Sequence, residues 1–243
     1  MPNHSTAAAT RSTPWRVIVA SMLVLPALAF GLWNNPADAQ EAPVVIPAPA
    51  ADLTEAGTSA TAIFAGGCFW GVQGVFQHVK GVTLAVSGYA GGAADTATYE
   101  QTGSGTTGHA EAVEITYDPS VVSYGDLLHI YFSVAHNPTQ LNYQGPDHGT
   151  QYRSAIFAVD DEQAEIARTY IAQLDQTGLF EGPIVTTIEP FDAFYAAEQY
   201  HQDFLTLNPS WPYIVVHDLP KIAALEQIFP GAYRSEPVLV GTL

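Results

Sequence analysis

Apolar and polar positions change period repeatedly between residues 61 and 207, and each change marks the boundary of a predicted strand or helix. Thr61 to Ala65 is a short β-prone run broken by Gly66-Gly67, after which Val72, Val75, Phe76 and Val79 recur at helical spacing. Cys68 is therefore expected at a strand-to-helix turn. Val82, Leu84 and Val86 alternate as a half-buried strand does, and Glu111, Val113, Ile115 and Tyr117 share one parity on the next. A carboxylate among three apolar side chains is expected to be partly desolvated. Ser123 with Asp126 resembles a helix cap, and Leu127, Leu128, Tyr131 and Ala135 give that helix its apolar stripe. A strand from Ser154 to Val159, a helix from Asp161 to Gly178, a strand from Ile184 to Glu189 and a helix from Asp192 to Leu207 complete the pattern. This interleaving predicts one α/β or α+β layered domain. The stretches 88–108 and 136–153 are expected to be functional loops, and the segment after Trp211 an irregular tail.

The start of the chain follows a different logic. Arg11 and Arg16 precede an uncharged run from Val17 to Trp33, and Ala37-Asp38-Ala39 follows. That order is expected of a secretory signal peptide spanning residues 1–39, with a periplasmic or secreted product. An uncleaved membrane anchor is the alternative, and Pro26 within the run weakens it. Residues 40–60, rich in Ala and Pro without periodicity, read as a disordered linker to a single catalytic domain over 61–243.

Composition narrows the chemistry. With 24 acidic against 7 basic residues the formal charge is −17, which argues against a nucleic-acid partner. One cysteine excludes an intramolecular disulfide and any thiolate-rich metal site within a single chain. Gly103 to Gly108 matches GxGxxG, but a strand follows it where a dinucleotide site needs a helix. Glu198 and His201 have the Glu-x-x-His spacing of di-iron helices in a single copy, so they read as helix surface and no metal is expected. Cys68 is open to two readings: a nucleophile whose thiolate is favoured by the helix N-terminus, or a buried inert thiol. Phe69 and Trp70 read equally as core or as a pocket wall.

Three strings in order, Gly67-Cys68-Phe69-Trp70-Gly71, Gly108-His109-Ala110-Glu111-Ala112-Val113 and Asp147-His148-Gly149-Thr150-Gln151-Tyr152-Arg153-Ser154, closely resemble the peptide methionine sulfoxide reductase A family. The resemblance runs from about Thr61 to Trp211. It implies a two-layer sandwich of a mixed sheet and helices, ferredoxin-like in type, and a cofactor-free enzyme acting on the S epimer of methionine sulfoxide, free or in proteins. It further implies that Cys68 attacks the sulfoxide sulfur and Glu111 protonates the departing oxygen. Tyr99 and Tyr152 would bond that oxygen, Asp147 would order the site, and Phe69 and Trp70 would cradle the substrate methyl group. The chemistry agrees, because a sulfoxide oxygen leaves poorly until it is protonated, and its apolar methyl needs an aromatic wall.

Many members of the family carry further cysteines near the C-terminus that capture the sulfenic acid formed on the nucleophile. This chain has none after Cys68, so a thioredoxin-like or glutaredoxin-like protein or a small thiol is expected to resolve it, with the enzyme a monomer. Two rival readings are a cysteine acyl-transferase or hydrolase with His148 or His201 as base, and a non-catalytic module that only binds the sulfoxide.

Overall fold

The computed structural model describes residues 1–3, 43–54 and 57–241. The chain divides into two units, Met1–Asn34 and Asn35–Leu243, and the elements below belong to the second. Residues 4–39 of the expected signal segment lie outside the described residues.

Strand β1 (Ala60–Gly66) leads through Gly67 into helix α1 (Phe69–Gln77), followed by β2 (Val82–Ala90), the one-turn α2 (Tyr99–Thr102) and β3 (Ala110–Tyr117). Helix α3 (Tyr124–Ile130) starts at the expected cap, a full capping box in which Ser123 Oγ accepts from the Asp126 N–H and the Asp126 carboxylate from the Ser123 N–H. It continues through a π-helical turn, Tyr131–Ala135. The 136–153 loop holds a small hairpin, β4 (Tyr143–Gln144) and β5 (Asp147–His148), and a 3₁₀ turn at Thr150–Tyr152. Then come β6 (Ser154–Ala158), α4 (Asp161–Asp175), β7 (Thr187–Pro190), β8 (Phe194–Ala196), α5 (Phe204–Leu207) and α6 (Leu219–Ile228).

The main sheet has six strands in the order β7-β6-β1-β3-β2-β8, antiparallel except for the parallel pair β6–β7. Strand β3 lies between β1 and β2 and is largely buried on both faces, and its two parities go to different cores. Val113, Ile115 and Tyr117 join Phe64, Phe76, Leu127 and Tyr170 in the large cluster into which α1, α3 and α4 bury their apolar stripes. Ala110 and Ala112 face a smaller cluster with Ile63 and Phe157, covered by Phe191 and Phe194. The mixed α/β architecture with a helical layer on the sheet agrees with the sequence pattern.

Three expectations are corrected. The helix expected over 192–207 is β8, a 3₁₀ turn at Gln199–His201 and α5, because Phe194–Ala196 pairs with β2 and Asp203 adopts φ 56°. The tail after Trp211 is ordered into a π-helical turn, Ile214–Asp218, and α6. The Ala/Pro segment is docked where it is described. Ile46 is buried, the carbonyls of Ile46, Pro47 and Ala48 meet His129, Tyr170 and Gln173 at 2.8–2.9 Å, and Asp52 accepts the Gly125 N–H at 2.8 Å. Its prolines prevent regular structure, so side chains of α3 and α4 satisfy its backbone instead.

Candidate active site

Strand β1 ends at Gly66, and Gly67, at φ +85°, turns the chain so that Cys68 becomes the N-cap of α1. A side chain at Gly67 would be strained by that φ and would meet the Gln144 side chain at 2.4 Å. The first free amide of α1 is aimed inward: Phe69 N–H donates to Glu111 Oε2 at 3.0 Å. Glu111 is 3% exposed, on the helical face of β3 as its parity predicts. Burial pushes its carboxyl up to about 8, with Asp147 adding to the rise and the Phe69 N–H opposing it. At neutral pH it is a protonated acid beside the helix that Cys68 caps.

Cys68 is half-buried. Burial pushes its thiol well above the usual range, Glu111, Asp218 and Asp147 add to that, and a backbone hydrogen bond from Trp70 opposes it. The thiolate preference expected of the helix N-terminus is therefore outweighed by desolvation and the surrounding carboxylates. The resting sulfur is a thiol.

Tyr99, at the first position of α2, and Tyr152, at the end of the 3₁₀ turn, come to the same centre. Both hydroxyls are held protonated, first by burial and then by Glu111, with Cys68 and Asp147 contributing to each. They are hydrogen-bond donors within electrostatic reach of Cys68. Asp147, on β5, accepts a hydrogen bond from the Tyr213 hydroxyl.

The aromatic wall is uneven. Trp70 is half-buried, stacks on Phe204 at 3.9 Å and meets the edge of Tyr213 at 6.0 Å. Phe69 is 1% exposed, with Tyr89 at 5.9 Å and His201 at 5.1 Å between ring centroids, and so backs the wall.

Four residues have a place here that the sequence pattern does not assign to them. His201 is buried and accepts the Trp70 indole N–H at Nδ1 (3.2 Å). Glu198 accepts the Tyr89 hydroxyl at 2.8 Å and the Tyr99 N–H at 3.0 Å, which fixes the start of α2. Their Glu-x-x-His spacing was visible, but it serves the site wall and not a helix surface. Tyr213 and Asp218 come from the tail, where no local signal announces them. Neither His148, stacked on Tyr143, nor His201 hydrogen-bonds to Cys68 among the described residues.

A thiol at a helix cap, a protonated buried carboxyl bonded to the next amide, and tyrosine hydroxyls around them make a centre suited to thiol chemistry on an acceptor that takes up a proton. Residues 60–231 match the family model described as peptide methionine sulfoxide reductase, and the chain belongs to that family. A Mesorhizobium japonicum protein named peptide methionine sulfoxide reductase MsrA 2 is 71% identical over 75% of this chain and 93% of its own length. A Synechocystis protein of the same name is 50% identical over 79% of this chain and 92% of its own. Among solved structures, reduced Mxr1 of Saccharomyces cerevisiae aligns with TM-score 0.58 and 31% identity over 69% of this chain and 96% of that one. Thiol-dependent reduction of methionine sulfoxide is the activity this membership assigns.

Proposed function

We propose that the chain reduces the S epimer of methionine sulfoxide, with Cys68 as nucleophile and Glu111 as acid. The carrying observation is Glu111 itself, buried, kept protonated up to about pH 8 and tied to the Phe69 amide one residue from the sulfur. Cys68 sulfur attacks the sulfoxide sulfur while Glu111 delivers a proton to the oxygen, and Tyr99 and Tyr152 donate hydrogen bonds to it. Trp70, backed by Phe69, takes the methyl group, and the Asp147–Tyr213 pair borders the Trp70 ring. The S–O bond breaks to leave Cys68 bonded to a sulfonium, the Cys68 thiol proton returns Glu111 to its acid form, and the released hydroxide attacks the Cys68 sulfur, expelling methionine and leaving a sulfenic acid.

With one cysteine in the chain, resolution falls to an external thiol. Its sulfur displaces the hydroxyl as water to give a mixed disulfide, and a second thiol releases Cys68. The ferredoxin-like reading of the sheet rests on its four central strands, β6-β1-β3-β2, which run antiparallel throughout. A periplasmic or secreted location rests on the basic, apolar and small-residue order of residues 11–39.

Glu111→Gln tests the acid. It keeps the acceptor for the Phe69 amide and removes the proton, so turnover should fall by about two to four orders of magnitude. Wild-type turnover should also decline as pH rises through about 8, and the variant should lack that limb. Wild-type turnover in Glu111→Gln would assign the proton to another group.

A further inference from the structure

Beside the first turn of α1 stands a charge pair that the reaction as described does not use. Asp218 is fully buried, its Oδ1 lies 3.2 Å from Lys221 Nζ, and its Oδ2 has no hydrogen-bond partner. The pair presses against Gly71, three residues beyond Cys68. A methyl group there would lie 2.1 Å from Asp218 Oδ1 and 2.7 Å from Lys221 Nζ. Only glycine admits both charged groups this close to the helix. A buried carboxylate with an unused oxygen is costly, and one salt bridge to a partly exposed lysine offsets that cost incompletely.

We propose that Asp218 and Lys221 are positioning residues for Cys68, holding a fixed charge couple against the helix turn that carries the sulfur and thereby governing how readily that sulfur reacts. The inference rests on Cys68 being the nucleophile. The other groups facing the sulfur are Glu111, Asp147, Tyr99, Tyr152 and Tyr213, all from other elements. His217 stands beside Asp218, and Lys221 also faces His136. Among the acids, Asp218 follows only Glu111 in disfavouring the thiolate. The couple is nearly neutral when intact, so removing either member leaves the other's charge uncompensated.

Iodoacetamide alkylation of the full chain reads this directly, because Cys68 is its one cysteine and the label reports the thiol whether or not sulfoxide is turned over. Asp218→Asn leaves Lys221 unopposed and should lower the pH midpoint of alkylation by about one unit, a tenfold change in the ionisation constant. Lys221→Glu puts a net negative charge in the same place and should raise the midpoint by a similar amount. Lys221→Arg should leave it near wild type. Should Asp218→Asn fail to fold, Lys221→Glu, at a partly exposed position, decides alone. Opposite shifts support the proposal. Midpoints that stay put, or that move in the same direction in both variants, would overturn it.

Discussion

Glu111→Gln should stabilise the fold relative to wild type increasingly as pH rises, although on the proposed mechanism it disables the enzyme. The folded carboxyl titrates at about 8 against an ordinary value of 4.5, so between those limits the unfolded chain is ionised there and the folded chain is not. The folded state then binds more protons, and its stability falls with rising pH by about 1.4 kcal/mol per unit. Below pH 4.5 both states hold the proton and the penalty vanishes. From pH 5 to pH 7 the penalty grows by about 2.5 kcal/mol, and it stops growing once pH passes the folded value. Glutamine does not titrate, so the stability difference between variant and wild type should move in the variant's favour by that amount. Any cost of placing the glutamine NH2 is the same at both pH values and leaves the change intact. Urea denaturation followed by circular dichroism at pH 5 and pH 7 measures it. A difference that is the same at both values would mean that Glu111 is already ionised in the fold, and the acid role would go with it.

Two further outcomes follow from the N-terminal half of the chain. Asp52→Ala deprives α3 of the acceptor for its Gly125 amide and for Ser123 Oγ, and should cost about 1 kcal/mol, or ~2–4 °C in a thermal melt. An unchanged melting temperature would show that the segment before β1 does not contribute to the fold. For export, mass spectrometry of the periplasmic or secreted protein should find a chain beginning at Gln40, while a membrane-bound species retaining Met22 would contradict cleavage after Ala39.

The sequence was legible where local pattern and tertiary role coincide. Strand parity alone put Glu111 on the apolar face of β3, and the Gly66-Gly67 break put Cys68 at the head of α1, where it stands. Ser123 and Asp126 declared their capping box, because both of its hydrogen bonds are local. Legibility failed where distant partners decide. Residues 192–207 have a helix-like mix of alanine, acids and aromatics. Yet the Gln202 side chain is taken by Ser87 and Gln73, and Phe194–Ala196 by an open edge of β2, so the sheet overrides local preference. Tyr213 and Asp218 reach the site only because α6 and the turn before it pack on α1, a contact that no spacing in the tail encodes. The order of the Ala/Pro segment is illegible for the same reason. Its order comes from side chains of α3 and α4 that hydrogen-bond to its carbonyls, and composition does not report on them.

The central claim is that Cys68 takes the oxygen of the sulfoxide and, lacking a second cysteine, keeps it until an outside thiol arrives. Incubating the reduced chain with methionine S-sulfoxide and no reductant, then measuring methionine released and the intact mass of the protein, tests this most directly. About one methionine per chain should form and then stop, the protein should gain one oxygen, and a sulfenic-acid reagent should label Cys68. Adding dithiothreitol should restart turnover, and Cys68→Ser should abolish both the burst and the adduct. Methionine released without an oxygen on Cys68, continued turnover without any thiol, or no methionine at all from the folded and reduced chain would contradict it.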